Sequence, residues 1–422
     1  MHKTLDQKLA DIHVNPASSK AFILADAKDA DMAFGIGAPG KSPESHTGEA
    51  RARTLANYRS QIREIVHQGL VDIMLMSAST NDALTISERL FDNSAVTPAA
   101  RANDASDVFV IRGSSYIAQP SRPFRSATLD HIQCGHVDCN DAQRTRGANL
   151  GLYSITLNNL LDEDLATLEA YRQFRIEAER CGFRHFLEVF NPNASQGLAG
   201  SDVPGFVNDH IARTLAGVAA AGRPIFLKIV YPGPRALEEL VNFDPHLVVG
   251  VLGGSAGTTH DAFRLLYDAR KHGARAALFG RKINNAESQL AFVQFLRLLA
   301  DGEIDPAEAT RAYHGVLEKL RIKPWRSLEA DLELTTGAVA YGEKTPAATA
   351  ASNPPHREPH TMTKKPEKKD CGCGCNGKKP GGCSDTHADH PQQAAASPNF
   401  AQMTTAEKTA YQKARRDRIF GW

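Results

Sequence analysis

The sequence predicts an α/β protein, a closed (β/α)8 barrel of the TIM type, and three observations support this fold class. The chain of 422 residues is longer than one typical domain but suits a single large barrel with appendages. Up to residue 330, about eight short apolar runs alternate with amphipathic helical stretches. Repeated βα units favour a parallel sheet, and this length favours a closed sheet over an open one.

The strands are predicted from short runs rich in β-branched and aromatic residues. These runs cover residues 21–26, 71–76, 107–111, 150–156, 183–188, 224–230, 247–252 and 274–279. Helical patterns lie between most of them, including 164–175 before the fifth strand and 260–271 before the eighth. In such a barrel the functional groups emerge at the carboxyl ends of the strands, so the residues that end each run form one candidate site.

Composition limits the kinds of partner. The formal net charge is +1 and 23% of the residues are charged, which gives no overall attraction to nucleic acid or to an anionic membrane. The N-terminus lacks the pattern of a signal peptide, and nowhere do about eighteen apolar residues follow one another. We therefore expect a cytoplasmic protein that does not bind a membrane.

A lysine, Lys228, stands in the middle of the sixth apolar run. Burying an ammonium group is costly unless the group is paired or becomes neutral, so chemistry is a strong reason to keep it there. Side chains alternate along a strand, and Phe226, Lys228 and Val230 therefore share one face. If that face lines the barrel, Lys228 enters the same mouth as Asp26 of the first strand and Glu188 of the fifth.

Such a lysine suits Schiff-base chemistry. Burial favours the neutral amine, which attacks a carbonyl, and the protonated imine then draws electrons from a neighbouring carbon–carbon bond. Proton transfer needs a carboxylate or a hydroxyl, for which Asp26, Glu188 and Tyr231 are the candidates. The alternative is that Lys228 only neutralises Glu188 or Asp26, because structural ion pairs are common in barrel mouths.

The last two strands end in residues that suit a phosphate site. Barrels of this type bind phosphate there through exposed backbone N–H groups, although glycines also serve as ordinary turn residues. Lys28, at the end of the first strand, is a further candidate phosphate ligand. The other candidates are Gly253, Gly254, Ser255, Gly280 and Arg281.

Over residues 15–325 the chain resembles the class I aldolase superfamily that contains archaeal-type fructose-bisphosphate, tagatose-bisphosphate and deoxyribose-phosphate aldolases. The resemblance is closest at 226–233, 252–255 and 278–283. It implies that Lys228 forms the Schiff base, that the glycines, Ser255 and Arg281 bind phosphate, and that Asp26 is the first-strand aspartate. It further implies a lyase that needs no cofactor and acts on a small phosphorylated sugar or keto compound. We also expect a homo-oligomer.

The chain departs from the family at the proton donor and in two loops. Archaeal-type enzymes carry a tyrosine donor after the fourth strand, where this sequence has Thr156, with Tyr153 three residues earlier. The proton donor therefore stays open. Residues 37–46 and 121–146 are longer than a barrel needs, and we expect them to cover the mouth and select the substrate.

Two cysteine-containing segments are candidate metal sites. Cys134, His136 and Cys139 have a spacing close to that of zinc ligands, and partly buried polar packing is the alternative. Four cysteines crowd into the tail among glycines, an arrangement that suits zinc or copper(I), with a redox-labile disordered tail as the alternative. They are Cys371, Cys373, Cys375 and Cys383.

The composition changes near residue 330, which predicts five parts. A barrel (1–330) precedes a flexible linker (331–362), a Cys/Lys-rich tail (363–390), a second linker (391–402) and a basic amphipathic helix (403–422). The helix has a capping box at Thr404 and Glu407 and is expected to dock on a protein partner or RNA, or to pack on the barrel. Residues 411–415 and 418–421 resemble the SUZ segment of RNA-associated proteins.

A second function class competes with the lyase. In it the barrel is a catalytically inactive scaffold, and the cysteine-rich tail and terminal helix bind metal, RNA or a protein partner. The buried lysine and the glycine turns favour the enzyme.

Overall fold

The structure, a computed structural model, describes residues 2–40, 52–254 and 257–336. The predictions for the tail, including its four cysteines and the terminal helix, lie outside the described residues, as do Ser255 and most of the first loop. No helix within the described ranges is long and apolar enough to cross a membrane.

Eight parallel strands form a closed barrel in the described part of the chain, which confirms the predicted fold class. Each strand pairs with its neighbours in chain order, and the last pairs with the first through Ile23 to Ala276 and Asp26 to Phe279. The strands are β1 (Ile23–Lys28), β2 (Ile73–Met76), β3 (Thr97–Arg101), β4 (Leu150–Thr156), β5 (Arg184–Phe190), β6 (Leu227–Ile229), β7 (Val249–Leu252) and β8 (Ala276–Phe279).

Helices surround the barrel and close one of its ends. They are α1 (Thr4–Val14), α2 (Ala30–Phe34), α3 (Leu55–Gln68), α4 (Ala78–Asn81, continued by a π-helical segment Asp82–Ser87), α5 (Leu129–Cys134), α6 (Leu161–Arg180), α7 (Val203–Ala216), α8 (Pro234–Phe243), α9 (Thr259–Lys271), α10 (Arg281–Asn285), α11 (Gln289–Asp301), α12 (Pro306–Lys319) and α13 (Leu328–Asp331). Short 3-10 turns occur at Gly35–Gly37, Tyr116–Ala118, Gly200–Asp202 and Ala220–Gly222.

The predicted third strand, at 107–111, is wrong. The third barrel strand is β3, ten residues earlier, which consists of a threonine, a proline, two alanines and an arginine and therefore has little strand character in the sequence. The apolar run lies instead in the β3–β4 connection, where Phe109 packs edge-on against Phe124 at 5.1 Å between ring centroids. Phe124 belongs to a two-stranded antiparallel ribbon formed by Asp104–Ala105 and Pro123–Phe124.

Two apolar clusters show which way each strand residue faces. The inner cluster fills the barrel and includes α1, whose Leu5, Leu9 and Ile12 close the end at which the strands begin. The outer cluster joins the other faces of the strands to the surrounding helices. Inward residues of the strands are Ile23, Ala25, Ala27, Ile73, Leu75, Ala99, Leu150, Leu152, Phe186, Ala276 and Leu278. This alternation decides which polar side chains reach the open mouth.

Candidate active site

Lys228 and Glu188 meet inside the barrel. They are register partners on β6 and β5, and each follows an inward phenylalanine, Phe226 or Phe186, by two residues. The Nζ of Lys228 lies 2.5 Å from Oε1 of Glu188, with side chains only 8% and 2% exposed. The structure thus brings together two of the predicted catalytic residues in a buried ion pair.

The second oxygen of Glu188 is held by a chain of buried polar groups. Ser154 Oγ on β4 donates to Oε2 of Glu188 at 2.6 Å. Arg101, at the end of β3, donates from Nη2 to Ser154 Oγ at 3.1 Å and from Nη1 to Oδ2 of Asp29 at 2.8 Å. The chain connects β1, β3, β4, β5 and β6, and it fixes the orientation of the Glu188 carboxylate.

Arg281 adds a third cation to this network. It follows β8, and its guanidinium lies over the ring of Phe34 at 5.1 Å. Burial lowers the pKa of Arg281 to about 10, although the carboxylates of Glu188 and Asp29 act in the opposite direction. Its Nη1 is buried and has no hydrogen-bond acceptor among the described residues. This guanidinium nitrogen of Arg281, unpartnered within the described part of the chain, therefore suits an anionic ligand.

The glycines after β7 and β8 are required by packing. A Cβ on Gly253 would lie 2.1 Å from the ring of Phe279, and one on Gly280 would lie 2.5 Å from the carbonyl oxygen of Ala27. Gly254 has φ of +58°, a conformation that favours glycine. These contacts account for the glycines without a ligand, so their role in phosphate binding stays a prediction.

The turn at residues 257 and 258, directly before α9, is fastened by its neighbours. Lys282 Nζ donates to the carbonyl oxygens of Gly257 at 2.7 Å and Thr258 at 2.9 Å. Asp261 accepts a bond from Thr258 N at 2.7 Å and one from Thr335 Oγ1 at 2.7 Å. Burial lowers the pKa of Lys282 to about 8. Residues 331–336, assigned to the linker from the sequence, thus include groups that pack on this turn.

Asp26 and Lys28 do not reach the mouth, so their predicted placement with Lys228 is wrong. They share the face of Leu24, which packs outward, and both side chains are fully buried. Asp26 Oδ2 lies 3.5 Å from Lys28 Nζ, and Lys28 also donates to Gln289 Oε1 at 2.9 Å and to Asn284. In this position Lys28 is not available to a phosphate. The aspartate that joins the Lys228 network is Asp29, the residue directly after β1, which continues the inward phase of Ala25 and Ala27.

The tyrosines named from the sequence also face outward. Tyr231 has the phase of Leu227 and lies in the outer cluster. Tyr153 stacks on Phe174 with ring centroids 4.4 Å apart, and burial raises its pKa to about 12. Alternation places Tyr231 and Tyr153 on the strand faces opposite to those of Lys228 and Ser154.

Asp107, from the connection between β3 and β4, is hydrogen-bonded to Thr156 at the end of β4, the position at which a proton donor was expected. Thr156 Oγ1 donates to Oδ2 of Asp107 at 2.6 Å, and Ser121 Oγ donates to Oδ1 at 2.8 Å. Burial raises the pKa of Asp107. Thr156 has the inward phase of Ser154, so this carboxyl group lies at the top of the barrel interior. The sequence reasoning missed Asp107, Arg101, Ser154 and Asp29.

Two of the three candidate zinc ligands near residue 134, Cys134 and Cys139, form a disulfide in the structure. Neither thiolate is left to bind a metal. Among residues 2–40, 52–254 and 257–336, no group of three or more His, Cys, Asp or Glu side chains is arranged to bind a metal ion.

Comparison with known proteins gives a likeness in structure only. No protein-family model and no curated protein matches the sequence. A fructose-bisphosphate aldolase from Slackia heliotrinireducens superposes with a TM-score of 0.51 at 16% identity, over 74% of this chain and 91% of that one. The chain folds like a fructose-bisphosphate aldolase. The resemblance seen in the sequence is thus confirmed at the level of the fold.

Two further aldolases superpose less closely. An archaeal fructose 1,6-bisphosphate aldolase gives a TM-score of 0.49 at 14% identity, over 70% of this chain and 99% of that chain. The fructose-bisphosphate aldolase of Plasmodium falciparum gives 0.44 at 12% identity, over 79% and 95%. At these identities the aldolase likeness concerns the fold, and the chemistry has to be argued from the site.

Proposed function

We propose that the protein is a class I aldolase-like lyase that forms or cleaves a carbon–carbon bond in a small phosphorylated sugar or keto compound. Lys228 carries the Schiff base. The observation that supports this most strongly is the buried pair of Lys228 Nζ and Glu188 Oε1 at 2.5 Å, with Ser154 on the other carboxylate oxygen. An amine beside a held carboxylate inside an aldolase-like barrel suits covalent catalysis.

Lys228 and Glu188 can carry out the proposed reaction with every proton and electron pair accounted for. Glu188 takes a proton from the Lys228 ammonium, and the neutral amine adds to the substrate carbonyl carbon; the carbonyl oxygen is protonated and leaves as water. The iminium accepts the electron pair of the adjacent carbon–carbon bond while the hydroxyl of the departing fragment loses its proton and becomes an aldehyde. The resulting enamine takes up a proton at carbon, and water hydrolyses the imine to restore Lys228.

Two carboxyl groups and one guanidinium group take part in these reaction steps. We assign proton transfer at the nitrogen to Glu188 and proton transfer at the departing hydroxyl to Asp107, whose pKa is raised by burial. We assign the substrate phosphate to Arg281, whose buried Nη1 has no acceptor among the described residues. The reaction needs no cofactor.

The ion pair alone also fits the alternative of an inactive scaffold, since a structural pair needs the same contact. A cleavage assay over a panel of sugar phosphates, in the presence of EDTA, separates the two. We expect aldehyde release by the native chain, loss of release in Lys228→Met and Lys228→Arg, and full activity in Lys20→Met, which removes an exposed lysine. No release from any sugar phosphate would favour the scaffold.

A further inference from the structure

A cleft of about 420 Å³ opens beside the ends of β1 and β2. Its volume falls in the range of small-molecule sites. It lies among α2, α4 and the segment that leads into α5. The polar residues in its lining are Asp31, Ser77, Ser79, Asp82, Ser126 and His131.

The cleft belongs to the same end of the barrel as the Lys228 network. Ser77 directly follows β2 and continues the inward phase of Ile73 and Leu75, and Asp31 follows β1. In the closed ring of strands β2 is four positions from β6 in either direction. Part of the cleft wall therefore follows strands on the side of the ring opposite to Lys228.

Two carboxylates and the imidazole of His131 line the cleft, and Arg59 borders it by donating to the carbonyl oxygen of Ser79 at 3.2 Å. Asp31 and Asp82 contribute carboxylates, and no lysine or arginine is among the lining residues. Ser77 Oγ donates to Oδ2 of Asp31 at 2.6 Å, whereas Oδ1 is buried and has no donor among the described residues. Carboxylates accept hydrogen bonds from hydroxyl and ammonium groups and repel phosphate.

The far wall of the cleft is held in place. Asn81 is fully buried, donates from Nδ2 to the carbonyl oxygen of Ile132 at 2.8 Å and accepts from Ala148 N at 3.1 Å. The Cys134–Cys139 disulfide spans the turn that begins at Gly135, one of the lining residues. A wall fixed in this way is typical of a pre-formed site.

We propose that the cleft binds the end of the substrate that carries no phosphate, an end with neutral hydroxyl groups or an amine. The assignment rests on the proposed function, because it takes Lys228 as the carbonyl site and Arg281 as the phosphate site. A substrate with one phosphate then has its carbonyl carbon at Lys228 on β6, its phosphate near β8 and its hydroxylated end beside β1 and β2, the strands next to β8. A second phosphate at that end is disfavoured by Asp31 and Asp82.

Aldol addition with dihydroxyacetone phosphate as donor tests the proposal. We expect kcat/KM for glyceraldehyde to exceed that for glyceraldehyde 3-phosphate by about tenfold or more. Asp82 is exposed, so Asp82→Lys keeps the fold and should shift the preference toward the phosphorylated acceptor by about tenfold, with Asp82→Asn in between. Glu318→Lys makes the same charge change on an exposed site of α12 and should leave the preference unchanged.

Borohydride trapping with dihydroxyacetone phosphate alone reports on Lys228 without any acceptor. If the adduct forms but the phosphorylated acceptor is preferred, or Asp82→Lys behaves like Glu318→Lys, the cleft assignment is overturned and the Schiff base stands. If no adduct forms, the proposed function is overturned, and the assignment of the cleft with it.

Discussion

Ser154 Oγ donates to Glu188 Oε2 at 2.6 Å while Lys228 Nζ pairs with Oε1 of the same carboxylate. Each oxygen of Glu188 therefore has its own partner, on β4 and on β6. The serine is itself held by Arg101, which is paired with Asp29. This arrangement holds the carboxylate in one orientation.

Removing the serine hydroxyl should lower the chemical rate. In Ser154→Ala, Glu188 loses a hydrogen bond to a charged group, an effect of about 1.5–3 kcal/mol, so we expect kcat to fall by about 10–100-fold with KM nearly unchanged. Steady-state cleavage kinetics measure this. Ser154→Thr keeps the hydroxyl and should retain most of the rate. An equal fall in kcat in the two variants would indicate that Ser154 acts through its packing and not by orienting the Glu188 carboxylate.

Asp107 should separate adduct formation from bond cleavage. In Asp107→Asn we expect dihydroxyacetone phosphate to form its imine with Lys228, whereas cleavage slows by about 10²–10⁴-fold, the usual contribution of an acid–base group. Trapping and cleavage are measured on the same preparation, with Asp162→Asn as a control at an exposed carboxylate. Unchanged cleavage in Asp107→Asn would remove this residue from the mechanism.

The Asp26–Lys28 pair should give a pH-dependent stability. Burial raises the pKa of Asp26 from 3.8 to about 6, so the stability it contributes is present below about pH 4 and is lost as pH rises through 6. Lys28→Met leaves the carboxylate unpaired, and we expect unfolding in urea to be easier by about 3–5 kcal/mol at pH 7. The loss should be much smaller at pH 5, where Asp26 takes up a proton.

The double variant Asp26→Asn/Lys28→Met removes both charges and should recover most of the stability at pH 7. An equal loss for Lys28→Met at pH 5 and pH 7 would show that the charge of Asp26 is not the cause. Because the pair lies outside the barrel, the double variant should also keep its ability to form an imine at Lys228.

Lys282 should affect substrate binding more than chemistry. In Lys282→Met the carbonyl groups of Gly257 and Thr258 lose their donor, and the turn after β7 loosens beside the expected phosphate site. We expect KM for a phosphorylated substrate to rise by about tenfold while kcat changes little. Lys271→Met, at the end of α9, is the matched control. A fall in kcat without a change in KM would contradict this role.

The sequence predicts the barrel and its central pair because those signals are local. Lys228 stands in an apolar run, and simple alternation places it with Glu188. The same alternation is ambiguous at the end of β1, where Asp26 and Lys28 have one phase and Asp29 and Asp31 have the other. The packing of the neighbouring helices decides which of the two faces points inward, and the sequence does not show that packing.

Arg101 was missed for a different reason. Its strand contains Pro98 and two alanines, whereas the nearby run at 107–111 has a much stronger strand pattern, so β3 was placed in a loop and its last residue was overlooked. The hydrogen bonds of Arg101 with Asp29 and Ser154, and of Asp107 with Thr156, join residues 49 to 72 positions apart in the chain. Contacts between residues so far apart in the chain leave no periodic pattern in the sequence. The only local signal is the pair of alanines before Arg101, and it is weak.

The central claim is that the amine of Lys228 condenses with a carbonyl. The most direct measurement is intact-mass and peptide analysis after borohydride reduction of the full chain with dihydroxyacetone phosphate. We expect one equivalent of reduced adduct on the peptide that contains Lys228, and none in Lys228→Arg. An adduct spread over exposed lysines, or none at all under conditions in which the protein is folded, would contradict the account.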